Sequence, residues 1–179
     1  ADKQGEQQII ATEKWLKREI AVRNNLERDK LTDVSASIKE KTGGPDDLVK
    51  LYILIFDHLN INHRLVVTSD RTKIRFDKDF MTWHYLNDYL IYFPDYDSYL
   101  SPTNVAYRYD MYPHIYMDND ALFIKPVKIG NVQTAVAEII SIPACPDTGS
   151  YVLSELDVHP REQFTSTTID AKYTLVGHS

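Results

Sequence analysis

Apolar positions recur at helical spacing near the start of the chain and at strand-like spacing over most of the remainder. Ile9, Leu16 and Ile20 share one stripe, widened by Trp15, Val22 and Leu26, which predicts an amphipathic helix over residues 7–29. Lys14, Lys17, Arg18, Arg23 and Arg28 would then cover its wet side. A polar stretch, residues 32–41, leads to Gly43-Gly44-Pro45-Asp46-Asp47. Gly44 suits an N-cap and Pro45 the first helical position, and the two aspartates put negative charge where the helix dipole favours it. Residues 48–59 are apolar almost all round, which predicts a central, buried helix.

Strand signals follow. Residues 64–69 form a run ended by Asp70-Arg71, residues 80–83 begin another, and residues 87–93 are aromatic and branched until Pro94-Asp95 stops them. Tyr99-Leu100 makes a short strand before Ser101-Pro102-Thr103. A tyrosine-rich irregular stretch covers residues 105–117, and residues 121–127 return to strand. Composition shifts near Lys128-Ile129-Gly130-Asn131. Beyond it, residues 134–142, 151–158 and 164–176 read as strands separated by turn residues. The expected class is α+β. Residues 1–128 would pack helices on an antiparallel sheet, and residues 129–179 would be a small all-β segment, the start of a β domain. Residues 173–179 still read as strand, so the chain is expected to continue into further domains.

With 179 residues, 43% of them hydrophobic, the chain can bury a sizeable core. A net charge of −6 argues against nucleic acid as a partner, since phosphate binding needs a basic surface. Proteins, peptides and glycans stay open as partners. The single cysteine, Cys145, allows no internal disulfide, which suits the cytoplasm or an envelope protein equally. No apolar run is long enough for membrane insertion, and residues 1–8 carry no secretion signal.

Local motifs offer little chemistry. Cys145 lies in a Pro-Ala-Cys-Pro turn without an activating neighbour in sequence. His58, His63, His84, His114, His159 and His178 lack the paired spacing of a zinc site, so no metal is expected. Asp95-Tyr96-Asp97 opens like a calcium loop, but Leu100 takes the turn-glycine place and Ala106 the bidentate-acid place. Nine of the twelve tyrosines lie between Tyr85 and Tyr116. Such rings either pack within strands or form an aromatic binding surface. The ligand-binding candidates are Trp83, His84, Tyr107, Arg108, Tyr109 and Tyr112.

The order helix, glycine-start helix, strand, strand, strand ending in Pro-Thr resembles the transglutaminase-like (papain-like) fold. More narrowly, it resembles a bacterial multi-domain family of unknown function with a transglutaminase-like middle and a C-terminal β domain. That family's core reads glycine, any residue, cysteine, any residue, aspartate at the helix start. Here Pro45 takes the cysteine place. In Leu86-Asn87-Asp88-Tyr89, Asp88 stands where the family has a catalytic histidine, and in Tyr99-Leu100-Ser101-Pro102-Thr103, Ser101 stands for the aspartate. A thiolate, a base and an orienting acid are all needed for such chemistry, and Pro45, Asp88 and Ser101 do not supply them. The resemblance therefore implies a pseudoenzyme without a cofactor, a binding or scaffolding module in the periplasm or cell envelope. Two other readings stand beside it: a hydrolase or transferase using His84 and Asp88 as acid and base, and a plain structural spacer.

Overall fold

A computed structural model describes residues 3–23, 34–79, 84–129, 132–144, 151–160 and 166–176. Helix α1 spans Lys3–Glu19 and buries Gly5, Ile9, Glu13 and Leu16, a stripe of the predicted helical period. It ends ten residues before the expected Asp29 (29 − 19). Strand β1, Ala21–Val22, follows at once and pairs in parallel with β2, Thr42–Gly43. The backbone explains the early stop. Ala21 N–H donates to Lys41 O at 3.0 Å and Arg23 N–H to Gly43 O at 2.9 Å, so tertiary partners outbid helix propagation. The polar stretch before β2 is not a loop throughout, because helix α2 covers Val34–Glu40.

Helix α3 spans Pro45–His58. It starts as its sequence dictates, with Pro45 at the first position, where no N–H is needed. It stops at Asn60, whose φ of 54° is left-handed, with Ile61 N–H reaching back to Phe56 O at 2.9 Å. The helix buries Leu48, Val49, Leu51, Tyr52 and Phe56, but Leu54 is 54% exposed. It is therefore a one-sided helix rather than a fully enclosed one.

Five strands make one antiparallel sheet: β3 (Arg64–Thr68), β4 (Asp88–Phe93), β5 (Ser98–Leu100), β6 (Asn119–Ile129) and β7 (Val132–Ile142), in the order β5-β4-β3-β6-β7. Strand alternation divides its side chains cleanly. Ile91, Phe93 and Leu100 face a core shared with Ile9 and Leu16 of α1 and with Leu48, Leu51, Tyr52 and Phe56 of α3. A smaller cluster gathers Leu122 with Phe76 and Leu86. Val66, Leu90, Tyr99, Ala121, Phe123 and Ile142 form a separate core with Tyr116 and the half-buried Tyr92, Tyr112 and Ile115. Each large apolar side chain fully buried in these cores contributes about 1.5–3 kcal/mol.

The chain divides into two units, Ala1–Pro143 and Ala144–Ser179. The expected boundary at residue 128 falls inside the β6–β7 hairpin, where eleven-residue strands pair without a break from Asn119↔Ile142 to Ile129↔Val132. The hairpin holds these residues in one sheet, so the division comes after Pro143. In the second unit, β8 (Tyr151–Pro160) and β9 (Thr167–Val176) form a two-stranded antiparallel hairpin. Val152, Leu156, Val158, Ile169, Tyr173 and Leu175 share one of its faces and are 56–63% exposed. The other face carries Glu155, Asp157, Asp170 and Lys172.

Candidate functional site

The start of α3 is where a dipole-stabilised nucleophile would sit. Pro45 occupies it and has nothing to ionise. The helix end is also filled from within, because Asp47 accepts the Gly44 N–H on Oδ2 at 3.2 Å. Asp47 is 7% exposed, so this cap is a buried charge-assisted bond. Gly43 permits the close approach. A Cβ there would lie 3.0 Å from Ser37 Oγ and 3.1 Å from Leu48 Cδ1.

Asp88 opens β4 and alternates with Leu90 and Tyr92. Its Oδ1 accepts the Tyr116 hydroxyl at 2.8 Å. Burial, and then the Asp88 charge, push the Tyr116 phenol well above the ordinary tyrosine range, so this hydroxyl keeps its proton and donates. Ser101 directly follows β5 and is 2% exposed. The preceding Leu100, its cross-strand partner Ile91 and Leu48 of α3 belong to one buried cluster. The first turn of α3, the middle of β4 and the end of β5 thus share a core, but Asp88 shares the opposite face of the sheet with Leu90, Tyr92 and Tyr116, so it does not converge with the start of α3 at Pro45. Chemically the three positions offer a proline ring, a carboxylate committed to a tyrosine and a buried hydroxyl.

The other binding candidates are dispersed. Trp83 lies outside the described residues, as do Cys145 and His178. His84 is exposed in a turn, and its carbonyl accepts from Asn87 Nδ2 at 3.1 Å. Arg108 is exposed and Tyr107 half-buried. Tyr109 packs edge-on to Phe93 at 5.9 Å and shares a 2.6 Å hydrogen bond with Ser98 Oγ. Tyr112 packs against Tyr99 with tilted rings 4.9 Å apart and donates to Pro143 O at 3.2 Å. Tyr109 and Tyr112 thus join separate cores, and their rings serve packing within the chain. The acidic loop after β4 is the turn of the antiparallel β4–β5 hairpin. Tyr92 donates to Asp97 at 2.9 Å, and Asn62 Nδ2 donates to Asp95 at 2.9 Å.

One polar group was missed by the helical pattern. Lys17, expected on the wet face of α1, has a side chain only 2% exposed and forms a 2.9 Å ion pair with Glu13, itself 1% exposed. The ammonium also donates to Tyr107 O. Burial lowers the Lys17 pKa, and Glu13 works against that loss. The four-residue spacing of Glu13 and Lys17 was the available signal; a partner as remote as Tyr107 carries none in sequence.

Among the described residues no group of three or more His, Cys, Asp and Glu side chains is arranged to hold a metal ion. Among them, too, no helix is long and apolar enough to cross a membrane. No protein-family profile, curated protein or solved structure matches the chain.

Proposed function

We propose that the chain is a non-catalytic, transglutaminase-like module followed by the first part of a β domain, acting as a binding or scaffolding element of a larger bacterial envelope protein. What supports this reading is the structural use made of the three residues that the resemblance sets at the catalytic places. Pro45 starts a helix, Asp88 holds Tyr116, and Ser101 is buried beside the shared core. Thiol chemistry needs a thiolate, a proton acceptor and an orienting acid. None of these residues fills such a role. The competing hydrolase reading would need the Asp88 carboxylate to work with His84, yet that carboxylate is already engaged by Tyr116.

The ancestry is tested by putting the lost groups back. In a Cys145→Ser background, Pro45→Cys places a thiol at the start of α3, and its pKa is read from the pH dependence of alkylation. The expected value lies below the ordinary ~8.5 because of the helix dipole. Adding Asp88→His lowers it further if positions 45 and 88 correspond to the family's cysteine and histidine. An unchanged thiol pKa on adding the histidine rejects that correspondence. Amine incorporation or peptide hydrolysis by the unaltered protein, lost in His84→Ala, would establish the enzyme reading instead.

A further inference from the structure

We propose that β7 is a self-pairing edge through which two copies of this chain join their five-stranded sheets. The inference does not depend on the ancestry proposed above. Among the described residues β7 ends the strand order and has β6 as its one neighbour in the sheet. It is eleven residues long, Val-Gln-Thr-Ala-Val-Ala-Glu-Ile-Ile-Ser-Ile, with no proline and no lysine. Its register against β6 is unbroken, so no bulge bends it away. Val132, Val136, Ile139 and Ile140 are 64%, 54%, 47% and 37% exposed. Proteins blunt exposed edges with short strands, lysine, proline or bulges. The opposite edge, β5, is only three residues long and buried throughout. Strand β7 has none of these protections.

The occupant follows from the pattern of β7 itself. A two-fold interface must be complementary to its own copy. Two β7 strands run antiparallel about a dyad at Ala137 are so. Val132 then faces Ile142, Thr134 faces Ile140, Ala135 faces Ile139, and Val136 faces Glu138 of the other copy. Small residues meet large ones, and the single charged side chain, Glu138, never meets its mate. This register pairs the whole strand and keeps each core face continuous across the joint. Moving the dyad to Glu138 would set two carboxylates opposite each other, which is unfavourable. Glu138 is already partly compensated within its own copy, with Arg64 Nη1 at 3.4 Å.

The test combines sedimentation equilibrium with disulfide mapping in the Cys145→Ser background. Residues directly opposite in an antiparallel pair have Cα atoms about 4.5–5.5 Å apart, within disulfide reach. Ala137→Cys is therefore expected to cross-link to its copy under mild oxidation, and an Ala135→Cys chain to an Ile139→Cys chain. Thr134→Cys, about 20 Å from its mate, is not. Ala137→Lys, which sets two ammonium groups on the dyad, is expected to weaken the dimer at least about tenfold while leaving the unfolding transition in place. A wild-type protein that stays monomeric over its whole soluble range overturns the proposal. So does a dimer in which all positions cross-link alike, or one whose mass ignores Ala137→Lys. A monomer that instead takes up an unrelated extended peptide along β7 overturns the second copy as occupant.

Discussion

The Tyr116 hydroxyl donates a 2.8 Å hydrogen bond to Asp88 Oδ1, tying the start of β4 to the short 3₁₀ turn His114–Tyr116. Hydrogen bonds to charged acceptors stabilise by about 1.5–3 kcal/mol. Tyr116→Phe is expected to lose that amount. In a double-mutant cycle with Asp88→Ala, urea unfolding should show coupling of about 1 kcal/mol or more. Independent, additive effects would contradict the bond's structural role.

Two buried hydroxyls make the reverse prediction. Ser37 Oγ and Tyr52 Oη are buried without a hydrogen-bond partner, at residue exposures of 1% and 0%. Removing an unsatisfied buried polar group relieves its desolvation cost. Ser37→Ala and Tyr52→Phe are expected to be neutral or stabilising by up to about 1 kcal/mol in thermal or urea melts. A loss of that size at position 52 would mean the hydroxyl has a water or side-chain partner in solution.

The Glu13–Lys17 pair separates charge from packing. Glu13→Leu leaves the Lys17 ammonium buried with only Tyr107 O, and breaking such a pair costs about 3–5 kcal/mol. Replacing both, as Glu13→Leu with Lys17→Met, should recover most of that loss, because paired buried charges are replaceable by apolar groups of similar volume. Denaturant midpoints of the two variants, compared under one set of conditions, decide it.

Alkaline pH should unfold the protein cooperatively. Burial is the leading cause that raises the phenols of Tyr52, Tyr99 and Tyr116 above the ordinary value of 10.0. The folded state then keeps protons that the unfolded chain releases, so this stability is complete below pH ~10 and is lost above it. Lys17 has the opposite sign. Its lowered pKa means the unfolded chain binds the extra proton up to pH ~10.4, so this group adds stability as pH rises through its folded value. Tyrosinate absorbance followed beside circular dichroism should show these tyrosines ionising together with loss of structure.

Much of this architecture was legible where local chemistry and pattern agreed. Gly44-Pro45-Asp46-Asp47 marked the start of α3, and branched or aromatic runs marked β3, β4 and β6. The misses came where distant backbone decided the outcome. Ile20, Val22 and Leu26 continue a helical stripe, but Gly43 and Lys41 recruit Ala21 and Arg23 into strand pairing. Residues 32–41 lack an apolar stripe, yet Ser37 and Val34 find α3 and its core to pack on. Of the candidate site, the identities of Pro45, Asp88 and Ser101 were readable. The grip of Tyr116 on Asp88 was not, because nothing local couples residues 28 positions apart.

The link from Lys17 to Tyr107 O spans 90 positions, so it closes one of the longest loops in the first unit. Contacts this remote in sequence form late, since the intervening chain must first be ordered. Of the three helices described, the earliest in the chain is thus among the last to be secured. It waits for a segment that follows three of the sheet's strands, β3, β4 and β5, to be made and folded. Until then the ammonium of Lys17 has water and Glu13 for company, and α1 is held by Ile9 and Leu16 in the core they share with α3, β4 and β5.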